Sequence, residues 1–373
     1  MKKKLLTLAV AAALPMATQA ANAEVTIYGQ IHASIDYVGY DMNNTATDPI
    51  DGSTYNRDSQ WDVTSRATRL GFKGSEDLGN GMKMIWKIET QMNLAEGGTF
   101  GFRNTYIGLS GNWGTFLYGR HDTPVKMSTG KLDIFGDTIA DYNAGNQNGL
   151  WGGLIDVRAN DAIAYVSPNF NGLTFVGAIV ADADTGDTDG DLAGAYSVAA
   201  MYSNGGLYVA AGYENLDNLF WGNDASHWRI GAGYDFGDFH VGGIYQSADG
   251  GVPYFFSGMN ARYRDPNDAA DGIIGNEYID FNTITLNASY KFGNNVVKAM
   301  WMRSDWDDNL LDTNGDGIVD EDTFDSWAIG IDHNFSKRSK VYLIYADSDI
   351  NLHGTNFSGQ EQDGFSLGMV HKF

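Results

Sequence analysis

An acidic segment in the last quarter of the chain has the spacing of a calcium-binding loop. Oxygen-bearing side chains fall at its first, third, fifth and ninth places, which are Asp312, Asn314, Asp316 and Asp320. Gly317 takes the sixth place, where such loops turn sharply, whereas Thr323 takes the twelfth, where they carry a bidentate Glu. Repulsion among the carboxylates gives a divalent ion a physical reason to bind. The segment predicts a calcium site, with a solvated acidic loop as the alternative.

Residue patterns that could support catalysis are weak. Residues 364–368 match the Gly-x-Ser-x-Gly pattern of esterase nucleophiles, but they lie in a predicted strand with no helix following, so we interpret the match as chance. The 7 His residues show no paired metal-ligand spacing. Gly231 and Gly233 open no helix that would hold a phosphate. We therefore predict a protein that is not an enzyme and requires no cofactor, with calcium as the one candidate ion.

The elements that must carry these side chains alternate between apolar and polar residues. Ile329 and Ile331 alternate with Gly330 and Asp332, and residues 207–213, 228–236, 284–292 and 365–373 show the same period of two. Short turns such as residues 203–206 are interleaved with long acidic loops, which is the layout of outer-membrane barrels and not of sandwiches. The pattern predicts an all-β fold, a transmembrane antiparallel β-barrel of about 16 strands.

Aromatic residues cluster near the predicted strand ends. In such barrels, aromatic side chains form two girdles at the membrane interfaces. The residues predicted to contribute to the girdles are Tyr28, Tyr37, Tyr165, Phe170, Phe175, Tyr290, Phe292 and Phe335.

The N-terminus and the composition indicate the cellular compartment. Lys2 to Lys4 and an apolar stretch precede Ala21-Asn22-Ala23, which predicts a signal peptide at residues 1–23 that is cleaved before Glu24. The remaining residues, 24–373, are predicted to form one barrel domain. The chain has no Cys, which fits passage through an oxidising compartment. A formal net charge of -23 argues against binding to nucleic acid, because phosphates require a basic surface.

Five blocks of sequence resemble the general bacterial porins of Gram-negative outer membranes. They are VTIYGQ (25–30), TRLGFKGSEDLGNG (68–81), GLSGNWGT (108–115), DAIAYVSP (161–168) and GMVHKF (368–373). The resemblance implies a homotrimer in the outer membrane that passes small hydrophilic solutes and contacts lipid and lipopolysaccharide. It also implies that Phe373 at the C-terminus is recognised by the barrel-assembly machinery.

The same resemblance implies an inward-folded constriction loop after the fifth strand. In the family, carboxylates on this loop face arginines on the barrel wall, and the charges select solutes together with the pore width. The pore-constriction residues it assigns are Arg69, Arg120, Arg158, Asp133 and Asp137, with Asp141 as a further candidate. Gln30 stands where some relatives carry a basic residue, which weakens the basic cluster. The acidic loops at the mouth predict a mild cation preference.

Three alternatives remain open from the sequence. The first is a substrate-specific outer-membrane channel, which aromatic residues in the constriction would favour. The second is a secreted or surface-exposed calcium-binding β-protein, such as an adhesin. The third is a barrel enzyme, which would need Ser, His and an acid aligned on adjacent strands; no convincing trio is present.

Overall fold

The computed structural model describes residues 24–42, 59–97, 100–143, 153–181, 192–216, 225–249, 280–307, 322–351 and 360–373. These residues form one antiparallel sheet of 18 strand segments and one short helix, α1 (Pro124–Thr129). No helix in these ranges is long and apolar enough to cross a membrane. The predicted signal peptide and the predicted calcium segment, including Asp312, Asn314, Asp316 and Asp320, lie outside the described residues.

The strand segments follow one another along the chain. They are β1 (Glu24–Met42), β2 (Gln60–Ser65), β3 (Arg69–Gly79), β4 (Met82–Gln91), β5 (Gly101–Phe102), β6 (Thr105–Gly111), β7 (Gly114–Asp122), β8 (Arg158–Val166), β9 (Leu173–Val180), β10 (Ala195–Asn204), β11 (Leu207–Asn215), β12 (Ser226–Phe236), β13 (Phe239–Asp249), β14 (Asp280–Phe292), β15 (Asn295–Asp307), β16 (Asp322–Asn334), β17 (Ser339–Asn351) and β18 (Gln360–Lys372).

The sheet closes on itself as a barrel of sixteen strands, because β2 with β3, and β5 with β6, are each two segments of one strand. The last strand pairs with the first from Gln30 opposite Lys372 to Met42 opposite Gln360. Beyond this register, Gly29 and Phe373 exchange two backbone hydrogen bonds of 3.1 Å each. Closure leaves no sheet edge with unpaired backbone groups, which a bilayer does not tolerate. The predicted fold class is confirmed.

Side-chain burial along the strands is reversed relative to a water-soluble barrel. Outward-facing positions hold exposed aliphatic residues, such as Ile329 at 56% exposure and Leu367 at 54%. Inward-facing positions hold buried polar residues, such as Thr285 and Ser366, both at 0%. Because successive side chains on a strand point to opposite faces, one period-two pattern supplies both surfaces. An apolar outer face of this kind is stabilised by lipid.

Aromatic rings form bands at the two ends of the outer face. At the short-turn end, Phe239 stacks on Tyr290 with ring centroids 4.3 Å apart. At the long-loop end, Tyr345 contacts Phe365 at 4.7 Å. Tyr28 does not belong to either band, because it occupies an inward position between the outward-facing Ile27 and Gly29 and donates a hydrogen bond to Glu89. The prediction that Tyr28 contributes to a girdle was therefore wrong.

Between β7 and β8, residues 123–143 and 153–157 fold into the barrel, and we name these described parts the inner loop. It begins with α1, where Thr123 accepts a hydrogen bond from the Lys126 amide at 3.4 Å and Pro124 occupies the first turn, where no N–H is required. Five of its apolar side chains are at most 1% exposed, namely Val125, Leu132, Phe135, Ile139 and Leu154.

The hydrophobic core lies between the inner loop and one side of the barrel wall. Inward-facing residues of β13 to β17, including Ile244, Phe281, Met302, Phe324 and Ile344, pack against the inner loop in one cluster. On β12, Gly231 and Gly233 allow Leu132 to approach, since a Cβ at these positions would lie 2.6 and 2.7 Å from its methyl groups. The opposite side of the lumen, formed by β3 to β8, carries the polar groups described below.

Candidate functional site

Polar contacts from the barrel wall fix the tip of the inner loop. The Asn287 side-chain amide donates to the Leu132 carbonyl at 2.8 Å. The Lys298 ammonium donates to the Ile134 carbonyl at 3.0 Å and lies 4.6 Å from the centre of the Phe135 ring. These contacts, together with the apolar core, hold the loop tip at a defined position in the lumen.

One predicted pair of opposite charges meets where the loop tip approaches β3. The guanidinium of Arg69 lies 3.2 Å from the carboxylate of Asp137, and their side chains are 24% and 36% exposed. Asp137 adopts a left-handed backbone conformation with φ of 62°, which few residues other than Gly, Asn and Asp adopt. Its amide donates to the Asp141 carboxylate at 2.7 Å, which stabilises this turn. The pair is accessible to water and therefore to solutes.

Two further carboxylates of the inner loop lie close to Asp137. Asp133 accepts a hydrogen bond from the Phe135 amide at 3.0 Å, and Asp141 accepts one from the Asn143 amide at 2.9 Å. Burial raises the pKa of Asp133 well above its usual range, and the negative charge of Asp141 raises it further. Burial likewise raises the pKa of Asp141 to about 6. Asp141 therefore changes its charge near pH 6.

The other two predicted arginines do not reach these loop carboxylates. Arg158 pairs with Asp122 at 2.9 Å and donates to the Asn104 side chain at 2.7 Å. Arg120 donates to the Phe102 carbonyl at 3.1 Å and also hydrogen-bonds to Asn160.

The position of Arg120 follows from the alternation of β7. It lies opposite Thr105 and two residues beyond Tyr118, which is outward-facing and 56% exposed. By the period of two, Arg120 belongs to the outward series of β7, although the strand register shifts between Gly119 and His121.

The wall opposite the core holds a cluster of charges of which the sequence prediction included only Arg158. Glu89 on β4 accepts from Arg103 at 2.8 Å and from the Tyr28 hydroxyl at 2.8 Å, and it pairs with Lys87 at 3.1 Å. Asp122 likewise pairs with Lys126 at 3.5 Å as well as with Arg158. This region has four cations, which we together name the basic wall: Lys87, Arg103 and Arg158 belong to the barrel wall, and Lys126 belongs to α1 and pairs with Asp122 of β7.

A sequence signal for the basic wall was present. Lys87 and Glu89 alternate with Trp86 and Ile88 on β4, so the charged residues must face the lumen if the apolar ones face lipid. A second missed residue is Arg229, which lies between the outward-facing Trp228 and Ile230 on β12 and is fully buried.

Two sequence patterns considered for metal binding and catalysis can be checked in the described ranges. No group of three or more His, Asp or Glu residues there is placed to hold a metal ion. Ser366, the central residue of the Gly-x-Ser-x-Gly pattern, lies in the middle of β18 and is fully buried. It therefore does not present an exposed nucleophile.

Known proteins with similar sequences and folds are outer-membrane channels. Residues 7–351 match the family model described as Gram-negative porin. The major outer membrane protein P.IA of Neisseria meningitidis serogroup B is 28% identical over 414 residues and is covered completely, as is this chain.

Two solved structures show the same architecture. The anion-selective porin from Comamonas acidovorans superposes with a TM-score of 0.68 at 23% identity, over 94% of this chain and 100% of that one. OmpT of Vibrio cholerae in a trimer form gives a TM-score of 0.61 at 17% identity, over 94% of this chain and 99% of that one. By the family match over most of its length, this chain belongs to the Gram-negative porin family and is an outer-membrane porin channel.

Proposed function

We propose that the channel passes small hydrophilic solutes and ions by passive diffusion through a constriction between the inner loop and the wall of β3 to β8. The observation that supports this most is the water-accessible pair of Arg69 and Asp137, which spans from the wall to the loop tip. Opposite charges on the two sides of a narrow lumen create a transverse field, which orders water and dipolar solutes and excludes large or apolar ones.

The proposed constriction comprises the residues assigned from the sequence except Arg120, together with the basic wall. Asp133, Asp137 and Asp141 form its acidic side, and Arg69 and Arg158 belong to its basic side. Arg120 we place at the extracellular rim of the proposed pore, because its bonds run to Phe102 and Asn160 near the strand ends.

The charges of the proposed constriction nearly cancel. On the basic side we count Arg69, Lys87, Arg103, Lys126 and Arg158. On the acidic side we count Glu89, Asp122, Asp137 and Asp141, with a smaller contribution from Asp133, because burial raises its pKa well above the usual range. A balanced constriction discriminates weakly between ions. The net charge of the chain, -23, therefore decides whether cations or anions are preferred. We therefore expect a mild cation preference at pH 7.

The experiment is a single-channel recording in a planar bilayer under a KCl gradient. Stepwise openings with a small reversal potential of the cation-selective sign are expected. A correctly folded, heat-modifiable barrel that stays silent would refute the diffusion function, whereas an anion-selective reversal potential would refute only the predicted selectivity.

We also propose that the protein is a homotrimer whose outer face contacts lipid and lipopolysaccharide. OmpT, which has the same fold, is recorded in a trimer form. Openings that arrive in groups of three and close singly at high voltage would support the trimer. A single-step closure of every channel would contradict it.

The export and assembly of the chain remain proposals with separate tests. We propose that residues 1–23 are removed before Glu24, which mass spectrometry of the purified protein measures directly. Recognition of Phe373 by the assembly machinery predicts less folded barrel in the outer membrane when Phe373 is deleted; an unchanged amount would contradict it.

Calcium binding at Asp312, Asn314, Asp316 and Asp320 is likewise a proposal, supported by the ligand spacing alone. Calcium should raise the melting temperature of the wild type and not that of Asp316→Ala. Equal behaviour of the two proteins would contradict the proposal.

A further inference from the structure

Arg229 joins two separated parts of the inner loop to the barrel wall. It projects into the lumen from β12 and is completely buried. One amino group donates to the Thr129 hydroxyl at 2.7 Å, at the end of α1, and to the Asp156 carboxylate at 2.8 Å. The other donates to the Ile155 carbonyl at 2.6 Å. A single side chain therefore holds both arms of the inner loop, which are the arm that enters the lumen at Thr129 and the arm that leaves it at Ile155 and Asp156.

The neighbouring strand completes the arrangement. Gln246 on β13 lies directly opposite Arg229 in the strand register. Its side-chain oxygen accepts from Arg229 at 2.7 Å and from the Ile155 amide at 3.1 Å. The backbone of Ile155 is thus held through both its N–H and its carbonyl, which fixes its position and its orientation.

The chemistry of arginine suits this task. A guanidinium is planar and presents five donors in a rigid fork, so it can bond several acceptors in fixed directions. A buried charge persists only when it is paired and its donors are satisfied, and Asp156 supplies the counter-charge. Removing Arg229 would therefore take a charge-assisted bond from both parts of the loop at once, while Gln246 still holds Ile155 and Tyr208 still holds Ser128.

We propose that Arg229 is the positioning residue that sets the width of the constriction, by clamping both arms of the inner loop to β12. The clamp lies at the base of the loop, whereas Asp133, Asp137 and Asp141 lie beyond it toward the tip. The tip keeps its own contacts with Asn287 and Lys298, so the clamp acts on pore width by restraining the loop between its base and its tip, without touching the solute. This inference rests on the proposed diffusion function.

The test compares Arg229→Met with the wild type in planar bilayers and in liposome swelling with sugars of graded size. Without these charge-assisted hydrogen bonds, the fraction of channels whose inner loop has moved away from β12 should rise by roughly tenfold or more. We expect greater open-channel noise and faster entry of the larger sugars relative to the smallest. Arg229→Lys, which keeps the charge opposite Asp156 without the fork, should restore the wild-type behaviour in part.

Controls separate this clamp from general destabilisation. Arg303→Met makes the same substitution on β15, where Arg303 pairs with Asp305, and it should leave noise and sugar cut-off unchanged. Thr129→Val removes one acceptor from the clamp. It should increase open-channel noise and the relative entry of larger sugars, as Arg229→Met does, but by a smaller amount.

The outcomes are distinct. A folded Arg229→Met channel with wild-type noise and cut-off overturns the clamp. If Arg229→Met does not fold, Thr129→Val decides, and wild-type values in that variant overturn the proposal. A silent wild-type barrel would instead refute the diffusion function itself.

Discussion

Acidification from pH 7 to pH 5 should shift the channel from cation preference toward anions. Burial raises the pKa of Asp141 to about 6, so this carboxyl is protonated at a pH where an ordinary aspartate is ionised. A group with this pKa is about 90% ionised at pH 7 and about 10% ionised at pH 5. The acidic side of the constriction therefore loses nearly one negative charge.

The size of the effect follows from Coulomb's law. A unit charge about 7 Å from the path of an ion changes its energy by about 0.6 kcal/mol in water, and by about half of that after screening in 0.1 M salt. Cations become scarcer and anions more abundant at the constriction by similar factors. The cation-to-anion permeability ratio should therefore fall roughly threefold.

The assay is the reversal potential in a KCl gradient, measured at pH 7 and at pH 5 for the wild type and Asp141→Asn. A charge change elsewhere in the channel affects both proteins alike, so the quantity of interest is the difference between them. We expect the wild type to shift further toward anions than Asp141→Asn. An equal shift in both proteins, or a wild-type shift toward cations, would refute the reasoning.

Three other predictions concern the loop, the pair and the outer face. Arg69→Gln should strengthen the cation preference and Asp137→Asn should weaken it. Each should change the stability by less than about 1 kcal/mol, because the pair is accessible to water. Reversal potentials of the two variants that move in the same direction would contradict this. Phe135→Ala, in the fully buried core of the inner loop, should lower the free energy of unfolding by about 3–5 kcal/mol and increase channel noise. The control Lys131→Ala, at an exposed position, should do neither. Urea titration measures the stability, and parallel channel recordings measure the noise. Ile329→Arg on the outer face should destabilise the folded barrel in lipid vesicles by about 2–4 kcal/mol, and Ile329→Leu should not. Identical denaturation curves for the two variants would show that this face does not contact the hydrocarbon of the bilayer.

The barrel was predictable from the sequence because its signal is local. Alternation in residues 284–292 predicts β14 directly, and the same rule correctly assigns the outward face to Ile329 and Leu367. Tyr28 was misassigned because its nearness to the strand start was given more weight than its position in the alternation. Applying the alternation rule strictly would have placed Tyr28 inside the barrel beside Glu89.

The path of the inner loop was not predictable in the same way. Leu132, Phe135 and Ile139 show no period of two, and their partners on the wall come from strands far along the chain. Arg229 could be assigned an inward direction from its neighbours, but its bond to Thr129 joins residues 100 positions apart. Such pairings depend on barrel closure and strand register, which one sequence does not determine.

The off-centre core divides the barrel wall into two regions with different tolerance to change. Along β13 to β17 the wall is two layers thick, because its inward apolar side chains pack against the inner loop. Along β3 to β8 it is one layer thick, and its inward charges meet water and one another. Substitutions that retune charge or width should therefore accumulate freely on the thin side, whereas the thick side accepts only coordinated exchanges. An engineer who wishes to alter permeability without losing the fold would begin at Lys87 and Arg103.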